Sequence, residues 1–197
     1  MPKAVTVTLN PAVDKSCSVE QVVAGRKLRC AQLSYYPGGG GINVARAMTK
    51  MGGEVMAYWP SGGSPGALLR QLLDAEGVQH RTTEIEATTR ENLIVFEQSS
   101  DQHFRFGMPG APLTEEEVQS ILQILSSDDS PPEYAVLSGS LPPNVDESLY
   151  ARITASMPAS TRVILDTSGS ALELGLESPV FLIKQNLRAL QQLSDRA

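Results

Sequence analysis

Four consecutive glycines, at positions 38–41, constrain this chain more than any other feature of its sequence. A run without Cβ atoms lets the backbone turn sharply and approach a ligand closely. The residues that follow are mostly apolar and predict a helix that begins directly after the run. The N-terminus of such a helix presents free N–H groups at the positive end of the helix dipole, which favours an anionic or hydroxyl-rich small molecule. The alternative interpretation is a tight strand-to-helix turn that needs glycine for steric reasons alone.

The spacing of this glycine run argues against the two common nucleotide-binding loops. The dinucleotide fingerprint Gly-x-Gly-x-x-Gly would need glycine where Asn43 stands. The pattern Gly-x4-Gly-Lys-Ser/Thr of phosphate-binding loops does not occur in the sequence. Asn43 falls instead in the first turn of the predicted helix, where its side-chain amide can both donate and accept hydrogen bonds.

The composition indicates a globular protein and disfavours some classes of binding partner. With 197 residues, of which 41% are hydrophobic and 19% charged, the chain can bury one sizeable core. A formal net charge of −6 disfavours binding to nucleic acid or to an anionic membrane surface, and no apolar run approaches transmembrane length. Two cysteines without zinc-site spacing fit a reducing cytosol, so we expect a cytoplasmic protein.

An alternation of strand-like and helix-like segments predicts an α/β fold with a parallel sheet. The predicted strands cover residues 4–9, 54–59, 134–137, 163–165 and 180–183. One predicted helix follows the glycine run, and the others cover about 68–76, 115–125, 146–157 and 170–176. Gly77 is expected to end the helix at 68–76 as a C-cap glycine. Thr114 and Glu117 form a capping-box pattern at the start of one of these helices. Residues 16–36 read as short β-like pieces, and strands at 92–97 and 103–106 around a turn at 99–101 predict a β-hairpin.

Polar residues follow the predicted strands where each strand ends. Ligands bind at the carboxyl edge of parallel sheets, so we expect these residues to lie along one edge. They are Asp14, residues 138–140, Asp166, Lys184 and Asn186. Asp14 is a candidate acceptor for sugar hydroxyls, and the alternative is an aspartate that only caps a turn.

Two arginines are candidates for binding a phosphate group. Arg90 and Arg105 lie on or beside the predicted hairpin, and an arginine fork suits a phosphate group. The alternative for either residue is a solvent-exposed strand arginine. Lys27 belongs to a short cationic run, which by itself is typical of a solvated surface.

Several motifs together resemble the PfkB-type sugar kinases. The motifs are Leu9-x-Pro11-x-Val13-Asp14, the glycine run with its flanks at 37–47, Thr89-Arg90-x-Asn92, Pro109-Gly110 and Ser138-Gly139-Ser140-Leu141-Pro142. The resemblance runs from about residue 4 to 190 and is strongest to the minor bacterial 6-phosphofructokinases. It implies a ribokinase-like α/β/α sandwich with a parallel sheet and a small β-sheet lid. The chain would be one incomplete, C-terminally truncated domain, residues 1–197, with lid segments at about 16–36 and 90–106.

The resemblance also implies an activity and a set of site residues. The activity would be ATP-dependent phosphorylation of fructose 6-phosphate to fructose 1,6-bisphosphate with Mg²⁺, in a homodimer paired through the lid. Lys27 would reach the nucleotide of the partner subunit. The implied substrate-binding residues are Asp14, Gly39, Gly40, Asn43, Arg90, Arg105 and Ser140, and the implied nucleotide-binding residues are Lys27, Lys184 and Asn186.

The sequence departs from the family pattern near its C-terminus. Ala189 stands where the family has a glutamate that helps organise Mg²⁺, and Gln185 stands where proline is usual. The Gly-Ala-Gly-Asp segment, whose aspartate is the family's general base, does not occur in the 197 residues, so we expect that base to lie beyond Ala197. We therefore name no catalytic or metal-ligating residue and expect the chain alone to be inactive.

Three alternatives to a 6-phosphofructokinase stay open at this point. The first is a close relative with another sugar phosphate, such as a 1-phosphofructokinase or a tagatose-6-phosphate kinase. The second is a non-catalytic chain that binds a sugar phosphate. The third is a kinase of the same fold that acts on a nucleoside or an unphosphorylated sugar.

Overall fold

Strands and helices alternate along the described residues of the computed structural model, which are 3–126, 131–187 and 191. In chain order the elements are β1 (Ala4–Val7), β2 (Ala12–Val19), β3 (Ala31–Gly38), α1 (Gly40–Lys50), β4 (Val55–Ser61), α2 (Gly63–Ala75), β5 (His80–Glu84), β6 (Arg90–Glu97), β7 (Gln102–Phe106), α3 (Glu115–Leu125), β8 (Tyr134–Ser138), α4 (Leu149–Ser156), β9 (Arg162–Asp166), α5 (Ser170–Gly175) and β10 (Leu182–Ile183).

The larger sheet, sheet A, is wholly parallel, as the β–α alternation predicted. Its strand order is β10-β9-β8-β1-β4-β5. The central strand β1 pairs with β4 on one side and β8 on the other, so that Val5 lies between Met56 and Ala135. All four residues of β1 are buried, as expected for a strand covered on both faces.

Helices cover both faces of sheet A and give an α/β/α sandwich. Side chains alternate along a strand, so Ala4 and Val5 enter different cores. Ala4 packs with buried residues of α1 and α2, including Ile42 and Leu69. Val5 packs with buried residues of α3, α4 and α5, including Ile153. No helix among the described residues is both long enough and apolar enough to cross a bilayer.

The second sheet, sheet B, is small and mixed, with strand order β3-β2-β6-β7. Its outer pairs are antiparallel and its central pair, β2 with β6, is parallel. The predicted hairpin is present as β6 and β7, and Asp101 in its turn has a φ of 56°. Sheet B includes strands from both predicted lid segments. The function of a lid stays a prediction.

Several predictions of local structure are confirmed. The helix after the glycine run is α1. Thr114 and Glu117 form a complete capping box at the start of α3. Gly77, with a φ of 71°, follows the end of α2.

Two predictions of local structure are wrong. Asp14 does not lie at the edge of sheet A, because the chain enters β2 of sheet B directly after Pro11. Helix α4 begins at Leu149 and not at 146, because the Asp146 carboxylate accepts a hydrogen bond from the Ser148 N–H and forms a turn.

Two predictions near the C-terminus concern residues outside the described part of the chain. Ala189, which replaces the glutamate of the family pattern, is one of these residues. Ala197, beyond which we expect the family's general base, is the other. The structure therefore does not test either statement, and the position of the catalytic base stays a prediction.

Candidate functional site

The glycine run packs against three strands, and each contact excludes a side chain. A Cβ on Gly38 would lie 2.6 Å from the Asp14 carboxylate on β2. A Cβ on Gly40 would collide with Ser138 at the end of β8, and one on Gly41 would lie 2.6 Å from the Thr8 hydroxyl oxygen. Steric crowding therefore requires glycine at these three positions, and whether the run also contacts a ligand stays a prediction. The same close approach brings the start of α1 beside Asp14 and the end of β8.

Helix α1 receives its N-terminal cap from another part of the chain. Gly39, at the N-cap position with a φ of 123°, has no side chain to offer. The Thr8 hydroxyl accepts a hydrogen bond from the Ile42 N–H at 2.8 Å and takes that role. The sequence pattern did not identify Thr8, since the bond joins residues 34 positions apart.

Asp14 is held by Asn92 on the neighbouring strand. The Asn92 amide Nδ2 donates to Asp14 Oδ1 at 2.8 Å, and its Oδ1 accepts from the Met108 N–H at 3.0 Å. Both ends of the Asn92 side chain are thus engaged, and the carboxylate orientation is fixed. Asn92 appeared in the family motif but not among the predicted site residues.

Part of the Arg90 guanidinium is hydrogen-bonded to the backbone of neighbouring segments. Its guanidinium donates to the carbonyl oxygens of Asn10 (2.9 Å), Met108 (3.1 Å) and Pro11 (3.4 Å). A guanidinium has five N–H donors, so two are not used by these bonds. Burial lowers the pKa of Arg90, and the nearby Asp14 carboxylate opposes that shift. The residue stays charged because an arginine pKa begins so high.

Arg105 is placed differently from Arg90. It is exposed, and it pairs in register with Ile94 on β6. Side chains alternate along β6, so Arg105 shares a face of sheet B with Arg90, Asn92 and Asp14. Within the described part of the chain, no hydrogen bond or ion pair engages the Arg105 guanidinium.

Asn43 lies exposed in the first turn of α1, as predicted. Its Oδ1 accepts a hydrogen bond from Arg46 on the same helix at 3.2 Å. The same Arg46 nitrogen donates to the Pro37 carbonyl at 3.1 Å, immediately before the glycine run. Arg46 was not among the predicted site residues.

Ser140 is tied to the first strand through Asn10. The Asn10 amide donates to the Ser140 hydroxyl oxygen at 3.0 Å and to the Leu141 carbonyl at 3.3 Å. A Cβ on Gly110 would collide with the Asn10 side chain, so glycine is required there. Because the Ser140 oxygen accepts from Asn10, its own hydroxyl proton is available to another acceptor.

Three of the polar residues predicted at the edge of sheet A, Ser138, Asp166 and Lys184, are in contact. The Ser138 hydroxyl donates to Asp166 at 3.0 Å, and Lys184 Nζ lies 3.3 Å from both oxygens of that carboxylate. The Lys184 side chain is 69% exposed, and Asn186 follows it on the surface. Lys27 is exposed in the connection between β2 and β3.

A cavity of about 430 Å³ opens beside this edge. It lies between the β8–α4 and β9–α5 connections and is lined by residues that include Ser140, Asn144 and Thr167. Asp14, Asn43, Arg90 and Arg105 do not line it. Asp14, Arg90 and Arg105 lie instead on sheet B, and Asn43 lies at the start of α1.

Comparison with known proteins identifies the family. The model of the pfkB family of carbohydrate kinases matches residues 5–197. Over 97% of its length the chain is 42% identical to the ATP-dependent 6-phosphofructokinase isozyme 2 of Mycobacterium tuberculosis, covering 56% of that protein. Over 98% of its length it is 35% identical to the 1-phosphofructokinase of Vibrio cholerae, covering 61% of that protein.

Solved structures of phosphofructokinase-2 from Escherichia coli have the same fold. The complex with fructose-6-phosphate matches with a TM-score of 0.93 and 38% identity over 100% of this chain and 65% of that chain. A tetrameric inhibited form matches with a TM-score of 0.92 and 37% identity over 99% of this chain and 64% of that chain.

The chain thus spans somewhat over half the length of the curated relatives it matches. Its parallel sheet A and mixed sheet B belong to the ribokinase-like fold that the sequence motifs implied. The match to the family model extends over nearly all of its residues. This chain is a member of the pfkB family of carbohydrate kinases.

Proposed function

We propose that this chain carries the sugar-phosphate site of an ATP-dependent 6-phosphofructokinase. The observation that supports this most is the register of sheet B, in which a carboxylate and two guanidinium groups share one face beside the glycine run. A phosphorylated sugar needs both kinds of partner, since its hydroxyls donate to carboxylates and its phosphate accepts from guanidinium groups.

In this proposal the residues of the site divide into two sets. Asp14 and Asn43 bind hydroxyl groups of the sugar, with the backbone of Gly39 and Gly40 close enough to contact it. Arg105, which is exposed, binds the phosphate group, and Arg90 adds its two remaining N–H donors. Ser140 offers a hydroxyl proton at the other side of the glycine run.

ATP is the proposed phosphoryl donor, near Lys184 and Asn186 at the edge of sheet A. Lys27 would extend toward the nucleotide of a partner subunit. Among the described residues no three His, Cys, Asp or Glu side chains are grouped as a metal site. Magnesium would enter with the phosphates of ATP, which is a common arrangement for this ion.

A homodimer through sheet B is part of the proposal. Tyr35 and Phe106 are 38% and 46% exposed and, by register, lie on the face opposite Asp14. Exposed aromatic side chains on one sheet face are typical of a protein interface. The E. coli relative was solved in a tetrameric form, which agrees with self-association of the family. We also propose a cytoplasmic location, where sugar phosphates and ATP are available.

Calorimetric titration tests the proposed substrate. We expect fructose 6-phosphate to bind at one site per chain, and Arg105→Ala to weaken it by about tenfold or more, the loss of one charge-assisted contact. Arg152→Ala is the matched control, because Arg152 pairs with Glu115 on the far helix layer. Absence of saturable heat with any sugar phosphate would contradict the proposal. Coupled detection of ADP release, measured separately, distinguishes a kinase from a chain that only binds sugar phosphate.

The 35% identity to a 1-phosphofructokinase favours one second candidate, a site for fructose 1-phosphate. The same titration separates the two candidates. Tighter binding of fructose 1-phosphate than of fructose 6-phosphate would favour the 1-phosphofructokinase, and the reverse order would favour the main proposal.

A further inference from the structure

We infer that Arg46 is a positioning residue for sugar recognition, because it determines which end of the Asn43 amide faces the ligand. The inference rests on the proposed function, since it concerns the same site. It adds a residue that would not touch the sugar and acts through one that does.

Arg46 uses both edges of its guanidinium. Nε and one terminal nitrogen bind the two carboxylate oxygens of Glu76, at the end of α2, at 2.7 and 2.6 Å. The other terminal nitrogen donates to the Pro37 carbonyl and to Asn43 Oδ1 at 3.1 and 3.2 Å. The Arg46 and Glu76 side chains are 18% and 24% exposed, so water competes little for these bonds. Arg46 therefore anchors the glycine run and Asn43 to a second helix.

The chemistry of arginine fixes the direction of the Asn43 amide. A guanidinium offers donors only, so the atom of Asn43 that faces it must be the acceptor Oδ1. Rotating the amide by half a turn would bring its NH₂ group against another donor. The Nδ2 donors of Asn43 are consequently presented away from Arg46, toward the side where a ligand approaches the start of α1.

Two neighbouring hydrogen bonds likewise determine whether the other polar groups of the site act as donors or as acceptors. Asn92 donates to Asp14 and leaves the carboxylate as an acceptor. Asn10 donates to the Ser140 oxygen and leaves that hydroxyl as a donor. The site thus offers one acceptor, Asp14, and two donors, Asn43 and Ser140. A ligand that fits must donate a hydroxyl proton to Asp14 and present oxygen lone pairs to the other two groups.

The test compares fructose 6-phosphate binding by the 197-residue chain and its variants. Arg46→Lys keeps the charge but lacks the fork that reaches Glu76, Pro37 and Asn43 together, so we expect about five- to twentyfold weaker binding, in the range of measured couplings between contacting residues. Lys50→Met is the matched control: Lys50 lies on the same helix and also contacts Glu76, at 3.6 Å, and its loss should change affinity less than about twofold.

A double-mutant cycle separates positioning from general destabilisation. In an Asn43→Ala background, Arg46→Lys should weaken binding by less than about twofold, because the residue through which it acts is gone. An equal loss in both backgrounds would overturn the inference, as would wild-type affinity in Arg46→Lys. If Arg46→Lys does not fold, Glu76→Gln takes its place with about two- to fivefold weaker binding expected, and an unchanged affinity overturns the inference.

The failure of the proposed function gives a different result from the failure of this inference. If the wild-type chain binds no sugar phosphate, the proposed function fails and the inference fails with it. If the wild-type chain binds and the Arg46 and Glu76 variants bind equally well, the positioning role alone is wrong.

Discussion

Sheet A and sheet B contain polar residues that are used in different ways. At the edge of sheet A, Ser138, Asp166 and Lys184 bind one another. On sheet B, Asp14 is held from one side only, and no partner within the described residues engages the Arg105 guanidinium. The central strands of sheet A are buried between two helix layers, whereas sheet B presents an open face. The comparison indicates that stability depends mainly on sheet A and ligand recognition mainly on sheet B.

The largest expected effect is a loss of stability from sheet A. Leu137 on β8 is fully buried among residues of α3, α4 and α5. Leu137→Ala should lower the free energy of unfolding by about 3 kcal/mol, from lost burial and the cavity that remains. Chemical denaturation measures this loss, and calorimetry on the folded protein should give an unchanged affinity for fructose 6-phosphate. A large loss of affinity with little loss of stability would break the comparison.

On sheet B we expect the reverse, a large loss of affinity for the sugar phosphate with little loss of stability. Asp14→Asn keeps the size of the side chain but removes the charge, so affinity for the sugar phosphate should fall by about ten- to a hundredfold, as for loss of a charge-assisted hydrogen bond. The free energy of unfolding should change by less than about 1 kcal/mol, since Asn can still accept from Asn92. Lys15→Met, one residue away on the opposite face, is the matched control and should leave affinity unchanged.

A smaller loss of stability is expected at the helix cap of α3. Thr114→Ala removes the side chain that accepts from the Glu117 N–H, and about 1 kcal/mol of unfolding free energy should be lost. Thr114→Ser preserves the hydroxyl and should preserve most of the stability. Both variants should bind sugar phosphate as the wild type does. A changed affinity would mean that the stability of sheet A and ligand binding on sheet B are not independent, contrary to the comparison.

The smallest expected effect is the pH dependence of stability that comes from the Arg46–Glu76 ion pair. The hydrogen bond from Arg46 lowers the pKa of Glu76 in the fold. The stabilisation is therefore present above the unfolded-state pKa of about 4.3 and is lost as pH falls through the lower folded-state pKa. The stability difference between wild type and Glu76→Gln, measured by denaturation, should be constant from about pH 5 to 7 and shrink below about pH 4. A difference that grows on acidification would contradict this assignment.

The fold was largely predictable because its signals are local. The β-branched strand β1, the Thr114 capping box and the glycine run each specify their own structure within a few residues. The placement of Asp14 was wrong because, although β1 ends at Val7 as a separate strand, nothing local shows that the next strand, from Ala12, joins another sheet.

Only part of the candidate site could be predicted from the sequence. Residues of family motifs, such as Asp14 and Asn43, were identified by their patterns. Thr8, Asn10 and Arg46 were not, because their roles depend on contacts between distant segments. The bond from Asn10 to Ser140, for example, joins residues 130 positions apart. No periodicity or spacing in the sequence encodes such a pair.

The most direct test of the central claim is a crystal structure of this chain with fructose 6-phosphate. The account predicts the phosphate bound to Arg105 and Arg90 and the sugar hydroxyls against Asp14 and Asn43, beside the glycine run. A sugar phosphate bound instead in the cavity lined by Ser140, Asn144 and Thr167, without contact to those four residues, would contradict it.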